Sequence, residues 1–324
     1  MKSVVIFLMI LFVFLFNSFI AENPFYAISD KDVEFKCPEN FPKPVYNFKK
    51  NKITRDGFLL GRKLFYDTKL AKDNITSCAS CHQRFAAFSH VDHALAHGIS
   101  GLIGKRNVPA LQNLVWKNEY MADGGINHMD LQPIAPLTSP NEMGETLENV
   151  VLKLRSDSLY PEMFKKAFGD TAVTTERMMK SISQFLALMV SNDSKYDKYI
   201  AGKEKFTDKE INGLQLFRQH CVTCHKEPMF TDYSYRNIGL MPDTALKDSG
   251  RAIITKNQKD YMKFQVPGLR NIEMTYPYMH DGRFMNLEQV MDHYSNKNFF
   301  TNNVDPEIKN MSGLTPIERI EIII

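Results

Sequence analysis

Cys78-Ala79-Ser80-Cys81-His82 and Cys221-Val222-Thr223-Cys224-His225 are the two most informative runs in this chain. Each sets two thiols one helical turn apart, with an imidazole directly after the second. That arrangement offers both thiols and one histidine to a single planar group, as covalent attachment of haem c requires. A zinc site would ask for further ligands at typical spacing. A redox dithiol has no use for the adjacent histidine. The runs therefore predict two haem c groups, held at Cys78 and Cys81 and at Cys221 and Cys224. His82 and His225 become the proximal iron ligands.

Outward from these runs the chain repeats itself. Leu60-Gly61-Arg62-Lys63-Leu64-Phe65 precedes the first cysteine pair, and Asn212-Gly213-Leu214-Gln215-Leu216-Phe217 the second. Val108-Pro109-Ala110-Leu111-Gln112-Asn113 matches Val266-Pro267-Gly268-Leu269-Arg270-Asn271. Tyr120-Met121-Ala122-Asp123-Gly124 matches Tyr278-Met279-His280-Asp281-Gly282 at the same separation. Matched blocks in one order mean a duplicated domain. Apolar residues recur at helical spacing over Thr174–Val190, Asn286–Tyr294 and Leu147–Leu154. Thr207-Asp208-Lys209-Glu210 is a capping box opening a helix that runs to about Gln219. No strand alternation stands out. The expected fold is all-α: two cytochrome-c-like haem domains related by internal duplication, spanning 51–200 and 201–324.

The ends differ from the middle. Lys2 and the apolar run Val4–Phe16, closing near Ala21, read as a secretory signal or, uncleaved, as an N-terminal anchor over 1–21. Residues 22–50, with Pro38, Pro42 and Pro44, read as an extended lead-in wrapping the first domain. Thr315-Pro316-Ile317-Glu318 starts a helix that soon stops at Ile324, as if the coding sequence were truncated. Export directs the chain to the periplasm, with membrane contact only if the first segment is retained. Cys37 has no spare cysteine to pair with. Of 324 residues, 44% are hydrophobic and 24% charged, and the formal net charge is +3. That balance describes a globular chain, and it lacks the basic, aromatic-interleaved patch that nucleic acid would need.

With Arg106-Asn107-Val108-Pro109, Leu131-Gln132-Pro133, Asn141-Glu142-Met143-Gly144 and Pro277-Tyr278-Met279-His280-Asp281-Gly282-Arg283-Phe284 added to the two attachment runs, the chain resembles the bacterial di-haem cytochrome c peroxidases, and within them the MauG-like branch. The likeness runs from about residue 40 to the end. It implies that the N-terminal haem meets hydrogen peroxide while the C-terminal haem stores and delivers electrons. Gln132 and Glu142 have the separation of the family's distal pair, with Pro136 also in place. Glu142 would carry a proton from the inner to the outer peroxide oxygen, and Gln132 would orient the peroxide. A carboxylate beside Pro140 could also serve merely as a favourable charge at a helix start. An inter-haem calcium ion maps to Asn107, Thr275 and Pro277.

The sixth ligand of the second haem maps to Tyr294, where classical members carry methionine. A phenolate favours higher oxidation states than a thioether does. The other reading of Tyr294 is a packing residue, with Met291 and His293 as substitutes. His97-Gly98 resembles the stretch that supplies a sixth ligand to the first haem in classical members, although His90, His93 and His97 could equally be polar loop residues. His128 and His220 read as surface residues. Ala122 stands where the family carries an inter-haem tryptophan. The chain's one tryptophan, Trp116, reads as core, so direct haem-to-haem transfer or Tyr120 would have to serve. Three functions follow: a peroxidase fed by a small cytochrome c or similar donor, a MauG-like oxidant of a protein substrate, or a non-catalytic electron carrier.

Overall fold

In chain order the longer helices are α1 (Arg55–Phe65), α2 (Leu147–Ser156), α3 (Leu159–Phe168), α4 (Thr175–Ala187), α5 (Lys195–Ile200), α6 (Asp208–His220), α7 (Leu287–Ser295) and α8 (Pro316–Ile323). Their starts follow from local chemistry. Thr54, Thr146 and Thr174 each accept an amide N–H of the first turn of α1, α2 and α4. Thr207 and Thr315 do so within full capping boxes closed by Glu210 and Glu318. Each hydroxyl satisfies a donor that the helix itself leaves unpaired.

The computed structural model describes residues 28–295, 299–310 and 313–324. The segment expected to act as signal or anchor lies outside them. Among the described residues no helix is long and apolar enough to cross a membrane. Among the described residues the strands are one antiparallel pair, β1 (Tyr235–Arg236) and β2 (Phe264–Gln265). A two-residue strand carries no readable alternation, which is why periodicity missed it.

The duplication is written into the backbone. Phe88 and Phe230 take left-handed φ values of 58° and 54°, Asn113 and Asn271 of 60° and 58°, and Met121 and Met279 of 67° and 76°. Tyr120 bridges to Ile126 as Tyr278 does to Phe284. The Ser89 hydroxyl donates to the Val108 carbonyl at 2.7 Å, and Thr231 to Val266 at 2.6 Å.

Helix packing repeats as well. α4 packs on α1, and α8 on α6. A Cβ on Gly61 would stand 1.8 Å from the Ser181 carbonyl oxygen, and one on Gly213 would stand 1.9 Å from that of Glu321. These are the matched glycines of the repeat, and both crossings press backbone on backbone. Gly61→Ala gains about 1 kcal/mol of helix propensity. It also forces two helices apart, an overpacking cost of about 3 kcal/mol. The clash wins, so the variant is expected to lose about 2 kcal/mol in denaturant unfolding. Parental stability would contradict this account of the crossing.

The apolar core gathers on the first half, around Leu60, Leu64, Phe65, Leu154, Tyr160 and Ile182. Trp116 belongs to it, with Nε1–H donated to the Pro42 carbonyl at 2.7 Å and its ring edge-on to Phe41. The lead-in thus packs on the first half. In the second half, Leu240, Met262, Val266, Met291 and Ile308 are buried, yet they line a cavity and do not join that cluster.

Ion pairs knit the seam. Arg106 holds Asp123 at 2.7 Å and Asp248, across the seam, at 2.6 Å. Arg270 and Asp197 form a buried pair at 2.7 Å that ties α5 to the second half. Gln265 N–H donates to the Ala122 carbonyl at 2.8 Å.

Candidate functional site

Both cysteine runs open onto one cavity of about 800 Å³ that crosses the seam. It is lined by Cys78, Cys81 and His82 from the first half and by Cys221, Cys224 and His225 from the second. The two histidines are fixed alike. His82 Nδ1 lies 2.8 Å from the Phe88 carbonyl, and His225 Nδ1 lies 3.0 Å from that of Phe230. A carbonyl can only accept, so Nδ1 carries the proton and Nε2 keeps its lone pair, the tautomer of a metal-ligating histidine. Burial lowers His82 to about 4, against the opposing pull of that carbonyl, so the ring is neutral. Burial likewise lowers His225 and pushes the Cys78 and Cys221 thiols up to about 12. Two neutral imidazoles with free nitrogens and an apolar wall fit a pair of large planar iron-bearing groups.

The two halves of the cavity differ in their other walls. Gln132 and Glu142 line the first half. Glu142 lies in the turn 140–143, with the helix that follows starting only at Leu147, so it is not the helix-start charge that its neighbour Pro140 suggested. Burial raises its pKa, against a hydrogen bond from Ser139. Ile99 N–H donates to the Glu142 carbonyl at 2.7 Å, which seats the 97–99 loop beside it.

His97 also lines the cavity, and its carbonyl accepts from the Cys81 thiol at 3.4 Å. Its ring lies against His93 at 4.3 Å, and His93 stacks on His90 at 4.1 Å. His90 is buried, and its Nδ1 has no partner.

Tyr294 stands in the second half of the cavity, where burial first, and then the nearby Cys221 and Cys224, raise its pKa. Met291 lines the same wall, whereas His293 Nε2 is engaged by the Ile238 carbonyl at 2.9 Å. Asn107 and Pro277 meet on the seam, Asn107 Nδ2 lying 2.5 Å from the Pro277 carbonyl, and Thr275 lines the same cavity, its hydroxyl donating to the Ile272 carbonyl. No cluster of three or more acidic, histidine or cysteine ligands occurs among the described residues. A cation here would rest on neutral oxygens, which suits a hard ion such as calcium.

Some placements depart from expectation. His220 is half-buried and lines the cavity, whereas His128 is exposed as expected. Tyr120 is buried in the first-half core, its hydroxyl donating to the Leu114 and Lys117 carbonyls, and it does not line the cavity. Tyr233 and Phe264 line it, and Phe264 directly precedes Gln265, whose N–H bonds the Ala122 carbonyl. Lys117 lines it too, and burial lowers its pKa to about 8. None of these three lies in a recognisable motif. Cys37 is exposed and unpaired.

A family model described as di-haem cytochrome c peroxidase matches residues 55–205. The methylamine utilization protein MauG of Methylophilus methylotrophus is 30% identical, over 82% of this chain and 78% of its own. Cytochrome c551 peroxidase of Nitrosomonas europaea is 35% identical, over 72% of this chain and 71% of its own. A crystal structure of a MauG-like protein associated with microbial copper homeostasis superposes with a TM-score of 0.81 at 28% identity, covering 90% of this chain and 93% of that one. Two relatives at this identity and coverage, with matching architecture, give the assignment: the chain belongs to the di-haem cytochrome c peroxidase family, and it is a haem-dependent oxidoreductase of the cytochrome c peroxidase type.

Proposed function

We propose that the chain reduces hydrogen peroxide to water in its first half (51–200), using electrons that an external donor delivers through its second half (201–324). Haem c attaches at Cys78 and Cys81 under His82, and at Cys221 and Cys224 under His225. When bound, it supplies the redox chemistry. The observation that carries the reading is the asymmetry of one cavity: Gln132 and Glu142 on the first-half wall, Tyr294 on the second.

Glu142 takes the proton from one peroxide oxygen and returns it to the other, so that the departing oxygen leaves as water. Burial raises its pKa, which favours the step in which it holds the proton before returning it. The Gln132 amide orients the peroxide by hydrogen bonds. Tyr294 would be the further protein ligand to the haem held in the second half and would keep peroxide out of it. His97 is the candidate for a removable cap on the first. Asn107, Thr275 and Pro277 would hold a calcium ion there, which would stiffen the seam. The chain works in the periplasm, exported by its first 21 residues.

Family membership sets the plain electron carrier aside. The MauG-like alternative, oxidation of a protein substrate, is favoured by one observation, the placement of Tyr294 beside Cys221 and Cys224. The test is to mix haem-loaded protein, reduced small cytochrome c and hydrogen peroxide. The reading expects catalytic oxidation of the cytochrome. Loss of peroxide without cytochrome oxidation would transfer the assignment to a protein-substrate oxidant.

A further inference from the structure

Haem c carries propionate side chains, so loading this cavity brings carboxylates into a buried place. Such anions call for cations, because an unpaired charge is costly away from water. The arginines of the cavity wall are already held by the protein's own carboxylates. Arg106 is paired with Asp123 and Asp248, Arg236 with Asp232 and Asp305, and Arg270 with Asp197. Lys105 is exposed. Lys117 differs from all of these. It lines the cavity, and among the described residues its ammonium meets no carboxylate. Burial alone acts on it, pulling its pKa down to about 8.

The backbone holds Lys117 in place. Its N–H donates to the Leu114 carbonyl at 3.1 Å, and its carbonyl accepts from the buried Tyr120 hydroxyl at 3.1 Å. The preceding residue, Trp116, is part of the core. The stretch 108–114 that leads to it lines the same cavity. The matched blocks of the two halves share one separation, which sets Lys117 in register with Thr275. Thr275 also lines the cavity and is neutral. At this repeat position only the first half carries a cation.

We infer that Lys117 is the countercharge of the first haem, its ammonium pairing with a propionate carboxylate of the group held at Cys78 and Cys81. This rests on the reading that haem c is attached there. A carboxylate anion close to iron stabilises the oxidised form, and a cation that neutralises it removes part of that stabilisation. Lys117 thereby makes the first haem easier to reduce. As a ligand, the Tyr294 phenolate would act in the opposite sense on the second. Electrons entering through the second half are then drawn toward the first, where peroxide takes them. A compact ammonium on a flexible stem suits an anion that arrives with the cofactor.

The experiment compares the haem-loaded parent with Lys117→Met and Lys117→Arg. Methionine keeps the apolar stem, and the substitution breaks no ion pair of the fold. Potentiometric titration followed by electron paramagnetic resonance reads each haem separately. Redox difference infrared spectra, on protein whose haem propionates carry carbon-13, read the carboxylates. At a given applied potential, Lys117→Met is expected to lower the ferrous-to-ferric ratio of the first haem about tenfold, a fall of about 59 mV for one electron. The second haem should not move. A labelled propionate band should shift with the same substitution, and Lys117→Arg should restore both signals. An unchanged first-haem potential with unchanged carboxylate bands overturns the inference. A lysine effect that appears only with added chloride or phosphate assigns the ammonium to a free anion and overturns it too. In either case undiminished peroxide turnover leaves the peroxidase reading standing. A parent without haem at Cys78 and Cys81 overturns the inference together with the attachment on which it rests.

Discussion

Glu142→Gln lowers the second-order rate constant for reaction with hydrogen peroxide by about 10²- to 10⁴-fold, the usual worth of a positioned general acid–base group. The exchange keeps size and shape, so the turn 140–143 and the Ile99 N–H to Glu142 carbonyl bond remain. What goes is the ability to accept a proton and return it. The pH profile separates this from a packing effect. Burial raises the Glu142 pKa, and the base form is the one that takes the first proton. The parental rate should therefore fall as pH drops through that raised value, at a higher pH than an ordinary glutamate would give. The variant should be slow and flat across the same range. Stopped-flow absorbance of the haem bands reads both. A variant within a few-fold of the parent, with its acid limb intact, would remove Glu142 from the chemistry.

Tyr294→Met raises the reduction potential of the second haem by on the order of a few hundred millivolts. A phenolate is anionic and hard, and stabilises the oxidised iron. A thioether is neutral and soft, and favours the reduced form. Burial keeps an uncoordinated Tyr294 phenol protonated, so loss of its proton is worthwhile only where iron compensates. Potentiometric titration of parent and variant reads the difference. The same potential in both would mean that Tyr294 packs and does not ligate. Met291, on the same wall, is then the next candidate, since His293 is committed to the Ile238 carbonyl. The change should also make a small cytochrome c a better donor, because its electrons would then run downhill into the second haem.

The residues that were legible in the sequence are those whose chemistry is local. Cys-x-x-Cys-His needs only consecutive residues, and the capping boxes at Thr207 and Thr315 need only four. The duplication was legible because φ-constrained positions such as Asn113 and Asn271 recur with their neighbours. Gly61 and Gly213 stood in the matched blocks, yet their purpose, close approach to Ser181 and Glu321, depends on partners more than a hundred residues away. α3, with its single-turn spacing of Tyr160 and Phe164, is not legible because Pro161 in its first turn reads as a breaker unless the helix start is already known. Lys117, Tyr233 and Phe264 line the cavity without lying in a motif, and no spacing rule announces that. The lead-in was legible as irregular from its prolines, but the seating of Trp116 under Pro42 was not.

The central claim is that one cavity holds an open iron on its first half and a tyrosine-capped iron on its second. Electron paramagnetic resonance of the fully oxidised, haem-loaded protein, before and after one equivalent of hydrogen peroxide, tests it most directly. The account predicts a high-spin ferric signal from the first haem that disappears on peroxide addition, beside a low-spin signal from the second. Two low-spin haems, both indifferent to peroxide, also after reduction by one electron, would contradict it.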